Sequence, residues 1–234
     1  MKVNEGHSAL SLEGPAEQCL YDPYALDELA DRALALTERG RSVLGVVGEP
    51  GAGKSTFCEQ LLAAVRLRRP GCAVGVSMDA FHLAQRVLVE RDQAAVKGAI
   101  ETFDASGFAS LLQRTRMETD RTVWWPEFRR DLEEPIAGSI AVEPGTTLVV
   151  VDGNFLLDAD PGWLEVRGLL TESWFLQSDP ALRQERLAAR YVRYGFSTAD
   201  AWAKVRGIDE VTSARVRASA GAADLTLVEL GGQP

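Results

Sequence analysis

The sequence predicts an α/β fold of three layers, a mostly parallel sheet with helices on both faces. Three observations carry this. Short apolar runs such as Val43–Val47 and Thr147–Val151 have the length and composition of buried strands. Other segments repeat apolar residues at three- and four-residue spacing, as amphipathic helices do. The two kinds alternate along the chain, as a parallel sheet with helical crossovers requires.

Composition narrows the function. Of 234 residues, 46% are hydrophobic and 25% charged, enough to bury a core without disulfides or metals. Lys and Arg number 25 against 34 Asp and Glu, for a net charge of −9. General binding to nucleic acid or to an anionic membrane is therefore not expected. An anionic ligand must be held by local basic residues and backbone amides. Cys19, Cys58 and Cys72 form no C-x-x-C pair and no Cys/His cluster. Neither a disulfide framework nor a zinc site is indicated, and the reducing cytoplasm is the expected setting. The N-terminal residues lack the apolar core of a secretory signal, and no stretch approaches the ~20 apolar residues of a membrane span.

Residues 1–20 show no period and read as a poorly ordered segment, with 21–234 as one domain. Leu26, Leu29, Ala30, Ala33, Leu34 and Leu36 predict a helix over 24–39, stopped at Gly40. A strand follows at 43–47, then a helix over 53–68 closed by Pro70-Gly71, and a second strand over 72–78. Asp104 is the expected N-cap of a helix running to Met117. After the aromatic stretch 123–128, the strand at 147–151 ends at Asp152-Gly153. Pro161 opens a short helix, Trp174–Leu176 is a strand, and helices are expected over 180–193 and 198–219, the latter capped by Ser197. Residues 225–230 complete the strands.

Residues 48–55 read G-E-P-G-A-G-K-S and fit G-x-x-x-x-G-K-[ST], with a strand before and a helix after. Gly48, Gly51 and Gly53 allow backbone angles closed to other residues and leave room for phosphate oxygens. The amides from Gly51 through Ala52, Gly53 and Lys54 to Ser55 can form an anion nest, and the helix that includes Thr56 turns its positive end to the same point. These residues are the expected ATP contacts. Lys54 would reach the β- and γ-phosphates, and the Ser55 hydroxyl would ligate Mg²⁺. The fold is then a P-loop NTPase; the competing reading is a Gly-rich turn that binds nothing. No N-K-x-D guanine reader is present. Asp104-Ala-Ser-Gly107 opens a helix instead of closing a strand. Leu230-Gly-Gly-Gln233, a faint echo of a transporter ATPase signature, follows every candidate acidic strand end. A small kinase remains.

Four further segments carry a resemblance. Ser77–His82 (S-M-D-A-F-H) is similar to the D-[SG]-F-[HY] motif of uridine kinases, phosphoribulokinases and bacterial pantothenate kinases. Lys97–Asp104, Pro126–Pro135 and Val150–Leu157 resemble later segments of the same group, in the same order. Ala80 stands where Gly or Ser is usual, Ile100 where Pro is common, and Asp152 where Glu is usual. The resemblance implies a nucleoside-kinase-like P-loop fold and ATP-dependent phosphorylation of a nucleoside, sugar or pantothenate-like alcohol. It also implies that Asp79 is the base that takes the acceptor's proton.

Other candidates have two readings each. Asp152 is a metal ligand or a turn former before Gly153. His82 is an acceptor contact or an ordinary hydrogen-bond partner. Trp124, Trp125, Phe128, Arg129 and Arg130 bind a ring or polyol, or they pack a hairpin with a solvated basic tip. Within that cluster Trp125, Phe128 and Arg129 are the acceptor candidates. Arg183, Arg186, Arg190 and Arg193 share one helix face, a solvated stripe or a lid resembling the one that closes over phosphates in this group. Arg186 and Arg190 are expected to act there, with Gly195 as hinge or C-cap. Partners are expected to be a small-molecule acceptor, with no nucleic acid and no membrane; a homodimer is left open. The reading from another class is a nucleotide-binding regulatory module with little or no kinase activity. Asp79 argues against it, since a sensor needs no base.

Overall fold

The structure is a computed structural model and describes residues 17–21 and 26–229. The chain runs through β1 (Glu17–Tyr21), α1 (Leu26–Ala35), β2 (Ser42–Gly48), α2 (Lys54–Arg68), β3 (Ala73–Ser77), α3 (Gln85–Glu90), α4 (Ala105–Met117), β4 (Val123–Arg129) and β5 (Glu134–Val142). It continues through β6 (Leu148–Gly153), α5 (Pro161–Leu169), β7 (Glu172–Gln177), α6 (Pro180–Arg193), α7 (Thr198–Lys204), α8 (Glu210–Ala218) and β8 (Leu225–Glu229). Six strands form one sheet in the order β1-β8-β7-β2-β6-β3, and each pairing in it is parallel.

The apolar runs at 43–47 and 148–151 feed two cores by simple alternation. Val43, Val47, Val149 and Val151 face one side, where Phe108 and Leu112 of α4 and Trp163 of α5 pack on them. Leu44, Val46, Leu148 and Val150 face the other, against Leu29 and Ala33 of α1 and Phe57, Leu61 and Val65 of α2. Strands buried on both faces have no polar period, which is why these read as unbroken apolar runs. The Asp104 carboxylate caps α4 by accepting from the Gly107 amide at 2.8 Å, as its position predicts.

Three features depart from the sequence reading, and a fourth decides between two readings. Residues 17–21, inside the segment expected to be poorly ordered, form β1 beside β8; residues 1–16 and the Leu230–Gln233 string lie outside the described residues. The helix expected over 198–219 is two helices joined by a π-helical turn, Val205–Asp209. The helix expected to Arg39 ends at Ala35 and continues as a single 3₁₀ turn. The aromatic stretch forms an antiparallel hairpin, β4–β5, whose register shifts between Trp125 and Glu127. Pro126 sits at that shift and has no amide to give the ladder. Among the described residues, no helix is long and apolar enough to cross a membrane.

The glycine loop after β2 is held from two sides. A Cβ on Gly48 would lie 2.7 Å from the Leu176 carbonyl oxygen of β7, and one on Gly51, where φ is +81°, would lie 2.7 Å from the Arg183 carbonyl oxygen of α6. Charge reinforces the second contact. The Arg183 guanidinium is 1% exposed and bridges Glu49 of the loop, at 3.2 Å, to Glu210 of α8, at 2.6 Å. Arg217 spans the same two carboxylates at 2.5 and 3.0 Å. Burial pushes the Glu210 carboxyl up, but hydrogen bonds from Arg183, Arg217 and Gln184 outweigh it and hold the pKa at about 2.

Two outcomes follow. Arg183→Met removes one of the two guanidiniums that Glu49 and Glu210 share, leaving Arg217 to both, and should cost about 1.5–3 kcal/mol, a Tm drop of roughly 3–12 °C by thermal denaturation. Because Glu210 has a depressed folded-state pKa, its contribution is complete above its unfolded value near ~4.5. It should fade as pH falls toward about 2. Acid denaturation should therefore be shallower below pH ~4.5 in Glu210→Gln than in the parent chain.

Candidate active site

The strand order decides what meets at the carboxyl edge of the sheet. Since β6 lies between β2 and β3, Asp152 at its end sits between the phosphate loop after β2 and the turn Met78–Phe81 after β3. Ligands bind at this edge in open parallel sheets. A cavity of about 720 Å³ opens there, bounded by the loop, the strand ends, the β4–β5 hairpin and the α6–α8 helices.

At its phosphate end, the Lys54 ammonium donates to the carbonyls of Gly48 at 2.8 Å and Glu49 at 3.0 Å and to Asn154 Oδ1 at 2.7 Å. Burial lowers its pKa to about 8, with Asp152 and Asp79 pulling the other way and Arg190 adding a like charge. Gly51, Gly53, Ser55 and Thr56 also line the cavity. The first α2 amide with an intrahelical partner is that of Phe57, bonded to Gly53, so the helix start leaves its earlier amides for an anion. Ala52 departs from expectation: it is buried, and its amide donates to the Glu49 carbonyl at 3.0 Å. Gly48 lies beneath the loop against Leu176. Both shape the loop; neither is among the residues lining the cavity.

Ser55 Oγ donates to Asp152 Oδ2 at 3.0 Å. Burial and the nearby Asp79 raise the Asp152 pKa, with Lys54, Ser77 and Ser55 opposing. A hydroxyl and a carboxylate oxygen so close together suit a Mg²⁺ that keeps its other positions for phosphate and water. Among the described residues no group of three or more His, Cys, Asp or Glu side chains gathers as a metal cage.

Asp79 lies on the 3₁₀ turn just past β3, its amide donating to Ser77 Oγ at 3.2 Å. Burial pushes its pKa up, but His82, Arg130 and Lys54 together hold it below the ordinary carboxylate value. Arg130 Nη2 donates to its Oδ2 at 2.7 Å. His82 Nδ1 lies 2.7 Å from the Asp79 carbonyl oxygen, which makes Nδ1 the donor and leaves Nε2 as an acceptor. Burial lowers the His82 pKa.

Two acceptor candidates are corrected. Trp125 is fully buried, its indole N–H donating to Thr115 Oγ1 at 2.7 Å; it belongs to the core. Arg129 points away from the cavity and pairs with Asp131 at 2.7 Å. Residues on a strand alternate sides, so Phe128 and Arg130 are the two that line the cavity. Sequence order alone ranked the wrong arginine.

The basic stripe on α6 divides. Arg183 is structural and Arg193 is exposed. Arg186 lines the cavity but is held by Glu229 of β8 at 2.6 and 2.9 Å. Arg190 also lines it, and its buried Nε has no hydrogen-bond partner among the described residues. Gly195, at φ +92°, follows the helix end. Asn154, Lys97 and Lys204 were missed as site residues. Asn154 lay within a matched motif, and Lys97 opened another; nothing local marked Lys204.

No protein-family model matches the chain. It is 32% identical over 194 residues to a Schizosaccharomyces pombe protein named "Putative uridine kinase", covering 80% of each. The crystal structure of a "putative fructose transport system kinase" from Silicibacter sp. TM1040 matches with a TM-score of 0.79 and 33% identity, over 86% of this chain and 98% of that one. YFH7 from Saccharomyces cerevisiae, "a putative P-loop containing kinase with a circular permutation", has the same fold at a TM-score of 0.78 over 91% of this chain and 100% of that one, with 17% identity. A phosphate loop, an acidic β6 end and an Asp after β3 are thus found in a chain whose relatives carry kinase names, and the protein belongs to the uridine-kinase-like P-loop kinases.

Proposed function

We propose that the protein uses ATP and Mg²⁺ to phosphorylate a hydroxyl group of a small metabolite. The observation that carries this is Asp79. It shares one cavity with Lys54 and the glycine loop, and the hairpin and lid enclose further space beside it. A nucleotide sensor has no use for a carboxylate kept ionised in the same cavity as the phosphate loop.

In this reading the amides of Gly51, Gly53, Ser55 and Thr56 and the Lys54 ammonium hold the phosphate chain. Lys54 exchanges its carbonyl partners for phosphate oxygens, and the unpartnered Arg190 Nε supplies a further donor. Ser55 and Asp152 would hold Mg²⁺, which neutralises phosphate charge when bound. Asp79 orients the acceptor hydroxyl in line with the γ-phosphorus. The new bond forms between the hydroxyl oxygen and phosphorus, the bond to the β–γ bridging oxygen breaks to release ADP, and the proton passes to the Asp79 carboxylate. Arg186 can join the phosphates only by leaving Glu229.

Lys54→Ala should lower turnover by at least ~10²-fold, since no other ammonium reaches that point; near-normal ADP release would remove the loop assignment. Asp79→Asn is the sharper test. Asn keeps the shape but cannot take the proton, so kcat should fall ~10²–10⁴-fold while calorimetric ATP affinity holds. A carboxylate serving only to cap its turn would cost ~1 kcal/mol of stability and little rate. Unchanged turnover on the best alcohol found would favour the regulatory-module reading.

A further inference from the structure

The acceptor end of the cavity has an unusual charge arrangement. Lys97 is not a free surface lysine: its side chain is 16% exposed. Its ammonium donates to the Glu133 carbonyl at 2.7 Å and to Gln85 Oε1 at 3.3 Å, both neutral oxygens. The Glu133 carboxylate stands off at 3.5 Å and is 58% exposed. Glu133 itself has φ +55°, a left-handed conformation that favours glycine. The hairpin turn thus holds a strained residue whose carbonyl fixes Lys97. Such local strain is kept where surrounding structure imposes it.

Arg130 is the second cation, and among the described residues it pairs with the Asp79 carboxylate. In the proposed reaction that carboxylate must serve the acceptor hydroxyl. Both cations also sit on one aromatic ring. Lys97 Nζ is 5.4 Å and the Arg130 guanidinium carbon 5.7 Å from the Phe128 centroid, and the His82 ring lies 5.0 Å away. A ring so surrounded is poorly free to stack on a nucleobase. It is a platform that holds two positive charges near the base. Across the cavity, Lys204 of the lid rests on the rings of Tyr191 and Phe196 at 5.6 and 5.1 Å.

We infer that the acceptor is a small polyol or hydroxy acid carrying its own anionic group, a carboxylate or a phosphate monoester, bound by Lys97 and Arg130, and that it is not a neutral nucleoside. This rests on the kinase reading above and narrows its acceptor. The anion gives Lys97 a closer charged partner than the loosely paired, exposed Glu133 carboxylate and draws Arg130 from Asp79 Oδ2, leaving that oxygen for the hydroxyl proton. A neutral acceptor offers Arg130 nothing in exchange for a charge-assisted pair. With a net charge of −9 on the chain, attraction of an anion must come from such local groups.

The test is ADP release by the full chain with Mg²⁺ and ATP on matched compounds: fructose against fructose 1-phosphate and fructose 6-phosphate, glycerol against glycerate, and uridine. The anionic member of at least one pair should exceed its neutral partner in kcat/KM by ~10–100-fold, and its advantage should shrink as salt rises. The sugar phosphates and glycerate separate phosphate from carboxylate. Lys97→Gln should raise KM for the anionic acceptor far more than for its neutral partner, and Lys97→Arg should restore part of the difference. If Lys97→Gln does not fold, the salt dependence and pair ratios of the parent chain decide. Turnover on uridine or a neutral sugar equal to or above the anionic compounds overturns this inference and leaves the kinase intact. No turnover on any alcohol, with ATP still bound, overturns the kinase reading and this one together.

Discussion

A lysine ammonium held out of water at the ends of β2 and β6 is the interaction on which the rest of the site depends. Its immediate partners are two carbonyls and an amide oxygen. Two carboxylates, Asp152 and Asp79, only partly offset its burial. A cation so solvated stays charged at neutral pH without an ion pair in contact, and an arriving anion does not have to break one. The loop can present it this way because Gly48 and Gly51 let the backbone run against β7 and α6 at distances no side chain permits.

The same helix that braces the loop supplies cations to the cavity. Four arginines share one face of α6, yet their surroundings separate them. Glu49 and Glu210 bury Arg183, Glu229 holds Arg186, and Arg190, which lines the cavity over the Tyr191 ring, has a buried Nε with no hydrogen-bond partner among the described residues. The fixed and available charges are thus one helical turn apart. The π-helical turn between α7 and α8, which contributes Ile208 and Asp209 to the cavity, is a break in regular helix where lid and site meet.

Much was legible in the chain because it depends on local chemistry. Two-sided burial writes β2 and β6 as unbroken apolar runs. The phosphate loop needs glycines and a lysine at fixed spacing, so G-E-P-G-A-G-K-S carries its own geometry. Asp104 and Ser197 announce helix starts because a cap bonds to an amide three residues away. Asp152 was found at the end of an apolar strand run, and Asp79 through the resemblance of Ser77–His82 to a family motif.

The tertiary structure decided what depends on partners distant in sequence. Trp124-Trp125-Pro126-Glu127-Phe128-Arg129-Arg130 offers two tryptophans and two arginines; strand alternation, shifted at Pro126, sends Trp125 to the core and Arg130 to the cavity. The fates of Arg183 and Arg186 are set by carboxylates 27 and 43 residues further on and, for Arg183, by Glu49 far before it. The chain alone determined that a phosphate loop faces acidic strand ends, since those are properties of short segments. Which cations stand free there was decided by folding, because a charge is matched or left unmatched only by what is packed beside it.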